Sequence, residues 1–184
     1  MKTFVTIYRK EKFNINLLAD LFKGLVGNNM KIEENNNVSF IFDSNPELNF
    51  LEIAELINYD LMISIKLFKG PDFADDKMLD SYLKMVDSLN FFNDSNIYYD
   101  NNYLIVANMG DRELIKKNVF KRYYRDEILD VVKAYLDSNM NVSKTADTIY
   151  MHRNTVMNKI DKFIDVTGYN IKEFQDAFVI YHLL

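Results

Sequence analysis

Residues Asn141 to Gly168 read NVSKTADTIYMHRNTVMNKIDKFIDVTG, and the spacing of their apolar positions decides how the chain is organised. Val142, Ala146 and Ile149 fall at i, i+4 and i+7, the narrow face of a short helix that Asn141 can cap. Tyr150-Met151-His152 is then a turn too tight for an ordinary loop, with Met151 filling its corner, and Arg153 begins a second helix. In that helix Val156, Ile160, Phe163 and Thr167 share one side, and Gly168 ends it as a left-handed cap. Two helices joined so tightly and crossing near a right angle must approach closely, which the methyl group of Ala146 permits.

On the second helix the side away from this core carries Asn154, Asn158, Asp161, Lys162 and Asp165, with Thr155 at its edge. The first turn is basic or uncharged and the acids come later. A helix that enters the major groove by its N-terminal end needs this distribution, because Asn can bond adenine bidentately and Arg can bond guanine or phosphate. Ser143 and Lys144, at the start of the preceding helix, are placed to meet backbone phosphate. The candidate DNA-binding set is therefore Ser143, Lys144, His152, Arg153, Asn154, Thr155, Asn158, Lys159 and Lys162. The competing reading of any such polar face is a solvated helix with no partner.

Working outward, Ile128, Val132 and Tyr135, with Leu129 and Leu136 beside them, predict a helix that ends at Asp137-Ser138-Asn139. The last helix, with AFVIYHLL over Ala177–Leu184, is apolar almost all round. Such a helix packs inside its own domain or meets a second copy of the chain. Ahead of these helices, DRELIKKNVFKRYYR (Asp111–Arg125) holds six basic residues against two acidic ones and reads as a helical connector, either solvated or touching phosphates.

The first part of the chain alternates element types. Phe4–Tyr8 predicts a strand, and Leu18, Leu21, Phe22 and Leu25 a helix. Met30–Asp43 predicts a hairpin turning near Asn35-Asn36-Asn37, and Asn45-Pro46 a helix start whose stripe is Phe50, Ile53, Ala54 and Ile57. Leu61–Phe68, apolar on both rows, predicts a central strand. After the break at Gly70-Pro71, Asp75 or Asp76 caps a helix with Leu79, Tyr82, Leu83, Val86 and Leu89 inward. Asn96–Tyr99 and Tyr103–Ala107 predict a second hairpin around Asp100-Asn101-Asn102. The expected fold class is α+β, a mixed sheet domain over residues 1–110, the connector over 111–125 and an all-α helix-turn-helix domain over 126–184.

The C-terminal segment, Glu127 to Leu184, resembles the helix-turn-helix of the PucR-type regulators, a family that includes sugar-diacid and purine-catabolism regulators. The residues that carry the resemblance are Asn141-Val142-Ser143, Thr145-Ala146, His152-Arg153-Asn154-Thr155 and Thr167-Gly168, with Tyr135-Leu136 upstream and the Phe174–Leu184 helix downstream. LDSYLKMVDSL (Leu79–Leu89) and Ile97-Tyr98-Tyr99-Asp100 resemble the segment that precedes the DNA-binding domain in this family, a degenerate relative of the GGDEF cyclase fold. The resemblance implies a transcriptional regulator that binds double-stranded DNA, with a homodimer as the expected assembly. In active cyclases the hairpin carries a glycine-rich signature. The corresponding turn here, Glu33-Glu34-Asn35-Asn36-Asn37, has no glycine pair for close phosphate approach, so cyclase activity is not carried over.

Composition narrows the rest. A length of 184 residues, 48% of them hydrophobic and 14% aromatic, is ample for a buried core. There is no cysteine, which removes disulfides, thiolate nucleophiles and thiolate metal sites. His152 and His182 are the only histidines; the first is expected to cap its helix or touch phosphate, the second to pack, and neither suggests catalysis or a metal. The acidic residues Asp72, Asp75, Asp76 and Asp80 lack calcium-loop spacing, and no P-loop, dinucleotide or nucleophile-elbow pattern occurs. The expectation is no enzyme, no metal and no cofactor, with a small-molecule effector left open. No apolar run approaches a bilayer span and Met1-Lys2-Thr3 opens no signal region, so the expected location is the cytoplasm, away from membranes.

The net charge of −5 is unevenly divided: residues 1–115 balance at −7 and residues 116–184 at +2. An acidic neighbour weakens non-specific attraction to DNA without preventing local phosphate contacts. Two rival readings stand beside the regulator. One is a nucleotide- or ligand-binding domain, catalytic or not, with regulatory helices; the other is a protein interaction module whose helix-turn-helix no longer meets DNA.

Overall fold

The computed structural model of the chain describes residues 1–9, 14–93 and 95–184. These form two compact units, Met1–Leu104 and Ile105–Leu184.

The first unit is built on a five-stranded sheet in the order β2-β3-β1-β4-β5. Its strands are β1 (Lys2–Arg9), β2 (Lys31–Glu34), β3 (Val38–Asp43), β4 (Ile65–Lys69) and β5 (Tyr98–Tyr99). Between them lie helices α1 (Ile15–Val26), α2 (Phe50–Glu55) and α3 (Asp76–Asp87). β1 runs antiparallel to both β3 and β4, β2 pairs antiparallel with β3, and β5 is parallel to β4. The first four strands with α1 and α2 follow the split βαβ pattern, β1 and β2 being joined through α1 with β3 inserted between them.

Alternation along β1 explains why both faces of the sheet are covered. Val5 and Ile7 join Leu18, Phe22, Val38, Phe40, Ile53 and Leu67 in one core, where the Phe22 and Phe40 rings stack 4.5 Å apart. Phe4 and Tyr8 face the other way. Phe4 lies 6.1 Å from Phe73 and 6.4 Å from Tyr82, and Tyr8 meets Phe91 edge-on at 4.9 Å. Gly70 donates its N–H to the Phe4 carbonyl at 2.8 Å, and any Cβ at this position would overlap the Phe4 ring.

Several expectations change here, each for a local reason. The helix expected at Asn45-Pro46 begins later. Asn45 only holds a turn, through the Glu47 N–H, while Asn49 accepts from Leu51 and Glu52 and caps α2. α2 then continues as a π-helical turn over Leu56–Asp60. The strand expected from Leu61 starts at Ile65, because Met62 turns left-handed (φ 54°) and the side-chain amide oxygen of Asn58 takes the Ile65 N–H at 3.0 Å. β4 also flanks the centre of the sheet; β1 occupies it.

The second hairpin is replaced by β5 and a helix, α4 (Asn101–Val106). Asp100 accepts the Tyr103 N–H at 3.0 Å, and Asn101, Leu104 and Ile105 are buried at i, i+3 and i+4. A helix start therefore wins over the five-residue alternation that suggested a strand. At α3 the cap is Asp75, which accepts from Lys77.

The second unit is helical: α5 (Arg112–Phe120), a 3₁₀ turn at Lys121–Tyr123, α6 (Ile128–Asp137), α7 (Val142–Thr148), α8 (Arg153–Thr167) and α9 (Phe174–Leu183). The chain is thus a mixed α/β region followed by a helical one. The basic stretch expected as a connector packs within this unit. Ile115, Val119 and Phe120 are buried, and the Phe120 ring lies 6.2 Å from that of Phe163 on α8.

Candidate nucleic-acid interface

α7 and α8 form the corner that the spacing predicted. Asn141 accepts the Lys144 N–H at 3.0 Å, and the buried Thr145 turns its hydroxyl back to the Asn141 carbonyl at 2.8 Å. Ala146 is 6% exposed, and its carbonyl takes the Met151 N–H at 2.9 Å, which closes the turn. His152 opens α8: its Nδ1 accepts the Asn154 N–H at 3.2 Å. The ring proton then resides on Nε2, on an exposed side chain.

Val156, Ile160 and Phe163 are fully buried and Thr167 nearly so, which fixes the rotation of α8 about its axis. Gly168 (φ 82°) donates to the Ile164 carbonyl at 2.8 Å and ends the helix left-handed. From the other side Lys121 Nζ reaches the Val166 carbonyl at 2.7 Å, a cation at the negative end of the helix dipole.

This rotation leaves Arg153, Asn154, Thr155, Asn158 and Lys162 exposed, and Lys159 half-buried on the flank. Ser143 and Lys144 on α7 are exposed as well. Among the described residues, no side-chain hydrogen bond or ion pair engages any of these polar groups. The two acids of α8 lie further along it. Asp161 is occupied by Lys172 at 2.6 Å, a hydrogen bond that raises the lysine pKa. Asp165 stands a turn further on, so the first two turns of α8 carry positive and neutral groups only.

Elsewhere in this unit the cations are engaged. A cleft of about 280 Å³ is lined by Glu113, Lys116, Tyr124, Arg125, Lys133 and their neighbours. Arg125 pairs with Glu113 at 3.6 Å, Lys133 with Asp137 at 3.5 Å, and Lys116 reaches the Leu184 carbonyl at 3.3 Å. The Tyr124 hydroxyl donates to Glu113 and holds its carboxyl below the usual range. The contrast separates a self-compensated surface from one whose donors are unspent.

Sequence reasoning did not foresee two features. One is the Lys121 contact, which joins residues 45 apart and leaves no local signal. The other is Tyr150, left-handed at φ 52° and 98% exposed in the α7–α8 turn. The last helix buries Ala177, Val179, Ile180 and Leu183, yet presents Phe174, Phe178 and Tyr181 at 71%, 42% and 51% exposure.

Among the described residues there is no cluster of three or more His, Asp or Glu that could hold a metal, and no helix long and apolar enough to cross a membrane. In the first unit, the turn of the β2–β3 hairpin is filled by the protein's own carboxylate. Asp87 accepts the backbone N–H groups of Asn36 (3.3 Å) and Asn37 (2.9 Å) together with both side-chain amides.

The α7–α8 pair is a helix-turn-helix with an open polar face. Residues 128–184 match the family described as the PucR C-terminal helix-turn-helix domain. Curated relatives match about a third of the chain. The uncharacterized protein YxkF of Bacillus subtilis (strain 168) is 35% identical over 57 residues, 31% of this chain and 19% of that protein. A leucine-rich protein of Streptococcus dysgalactiae subsp. equisimilis is 33% identical over 60 residues, 33% of this chain and 21% of that protein. The match thus spans about a fifth of the length of each. Among solved structures, the regulator of polyketide synthase expression from Bifidobacterium adolescentis aligns over 99% of this chain and 78% of its own, at 15% identity and a TM-score of 0.48.

Proposed function

We propose that the chain is a sequence-specific, DNA-binding transcriptional regulator and not an enzyme, with the N-terminal end of α8 read into the major groove. The observation that carries this reading is the unspent donor set on the first turns of α8, set on a PucR-type helix-turn-helix. Asn154 and Asn158 are offered to base edges, and Arg153 to guanine or phosphate. Ser143, Lys144, His152, Thr155, Lys159 and Lys162 are offered to the backbone.

The chain acts as a homodimer in this proposal, and the exposed aromatic stripe of α9 is the self-contact. Phe174, Phe178 and Tyr181 recur at i, i+4 and i+7 on the face opposite the buried one. Two-fold assembly places two reading helices on half-sites one helical turn apart. The first unit is read as the degenerate GGDEF-like regulatory or dimerisation domain. Its βαββαβ order supports that, and the Asp87 carboxylate in the hairpin turn leaves no backbone donors there for a nucleotide phosphate. The location proposed is the cytoplasm.

Selection of bound sequences from a random duplex pool at two salt concentrations tests the reading. Enrichment of an inverted repeat is expected. Binding that disappears with salt and enriches no sequence would instead favour an interaction module that no longer reads DNA.

A further inference from the structure

Tyr150 is the most exposed large apolar side chain among the described residues, at 98%. It is not a loose end. The Ile149 N–H bonds the Thr145 carbonyl at 3.0 Å and the Met151 N–H bonds the Ala146 carbonyl at 2.9 Å, so the residues on both sides are held. Between them the backbone at Tyr150 lies at φ 52°, a region where glycine or asparagine rests easily and a bulky side chain is disfavoured. Among the described residues no hydrogen bond, ring contact or cation engages the phenol. A large aromatic group is therefore held out in solvent, in an unfavourable conformation, with no contact inside the fold to compensate for it.

Its position suggests what it meets. Tyr150 lies two residues before the cap of α8 and three before Arg153, a stretch of chain that can span no more than about 10 Å. The major groove is walled by phosphates on either side of a gap of about 12 Å. A helix that enters by its N-terminal end carries the residues just ahead of it across that wall. A phenol suits the place: the hydroxyl is a neutral donor for a phosphate oxygen, and the ring covers the neighbouring sugar.

We infer that Tyr150 is a backbone-positioning contact, its hydroxyl donating to a phosphate oxygen at the edge of the groove that α8 enters. The inference rests on the DNA-binding reading above. It goes further by assigning a residue outside the reading helix that sets register and affinity but not sequence preference.

The contact has a distinctive signature because tyrosine is uncharged. Lysine contacts release counterions, so their loss flattens the salt dependence of binding by about one unit in the log–log slope. Loss of the Tyr150 contact lowers affinity and leaves that slope unchanged.

The experiment compares the full chain with its Tyr150→Phe, Tyr150→Gly and Lys144→Ala variants. Binding is titrated on a selected duplex and on a random-sequence duplex of the same length, at several salt concentrations. Tyr150→Phe and Tyr150→Gly should each bind about tenfold more weakly on both duplexes, as expected for a lost hydrogen bond to a charged group, with the wild-type slope. Tyr150→Gly should also melt no lower than wild type, since glycine relieves the left-handed conformation; this separates lost binding from lost folding. Wild-type affinity in both Tyr150 variants, a loss confined to one sequence, or a flattened slope would each overturn the assignment while leaving the DNA-binding reading intact. Absence of binding to either duplex by the wild-type chain would remove that reading and this inference together.

Discussion

In the N-terminal unit Tyr8 donates to the Val86 carbonyl at 2.5 Å, Tyr82 reaches Asn101, Thr6 and Ser39 share a hydrogen bond at 2.8 Å, and Asp87 takes the donors of the Asn36-Asn37 turn. In the C-terminal unit the side chains of Arg153, Asn154, Asn158 and Lys162 make no hydrogen bond or ion pair among the described residues. The charges differ in the same sense. Residues 1–104 carry ten basic against sixteen acidic side chains, and residues 105–184 twelve against eleven. An interior that satisfies its own polar groups gains a unique packing. A surface that leaves donors open gives up those hydrogen bonds within the fold and keeps them for a partner. The comparison supports the proposed interface on α8 better than net charge does, since the chain as a whole is acidic.

Four perturbations test the contrast. The largest effect is expected inside the first unit. Phe22 is fully buried against Phe40, and Phe22→Ala should cost about 3–5 kcal/mol in chemical denaturation. A loss well under 1 kcal/mol would show that the sheet core is not as closely packed as its ring stacking implies.

On α8 the opposite pattern is expected. Asn154→Ala or Arg153→Ala should weaken binding to a selected duplex by about 1–3 kcal/mol, with folding stability altered by no more than about 0.5 kcal/mol. A drop in melting temperature without a change in affinity would reverse the roles assigned to the two surfaces.

A smaller effect appears at high pH. Burial, then the charge of Asp87, raises the Tyr8 pKa well above its ordinary value of 10.0. The unfolded chain ionises this phenol first, so the contribution of Tyr8 is complete below pH 10 and declines above it. Melting curves of Tyr8→Phe and wild type, taken across that pH, should draw closer together as pH rises. Parallel curves would mean that the Tyr8 hydroxyl is not held neutral in the fold.

The smallest effect concerns the exposed pair of Glu113 and Tyr124. Glu113 is held below its ordinary pKa of 4.5, first by the Tyr124 hydroxyl and then by Lys116 and Arg125. Its stabilisation is present above that pH and is lost as pH falls through the lowered value. Tyr124→Phe should therefore melt slightly below wild type at neutral pH and equally with it in acid. A difference that persisted in acid would place the role of Tyr124 in packing alone.

Much of this architecture could be read from residue spacing, and the exceptions share a cause. The wheel of Val156, Ile160, Phe163 and Thr167 fixed the buried side of α8, and with it the polar side, because a fifteen-residue helix repeats its pattern four times. The Met30–Asp43 hairpin was equally clear from its Asn-rich turn. The strand expected over Tyr103–Ala107 gives way to α4 (Asn101–Val106) because so few residues support either period, and the deciding interaction is a cap from Asp100. The start of β4 was misplaced because Asn58, not a strand, receives the Ile65 N–H. On the candidate interface, polar side chains announce themselves on a wheel, whereas left-handed backbone usually announces itself through glycine or asparagine. Tyr150 gives no such sign.

The grip of Lys121 and Phe120 on the far end of α8 has a mechanical consequence. The helix is held at its last turns, and in the proposed reading it meets DNA with its first, so it behaves as a beam fixed at one end. Fifteen residues make a beam of about 22 Å, and a tilt of about 5° at the clamp would move the tip by about 2 Å. That displacement exceeds the distance range over which a hydrogen bond to a base edge survives. If α8 reads DNA as proposed, residues near Lys121, remote from any base, set the aim of Asn154.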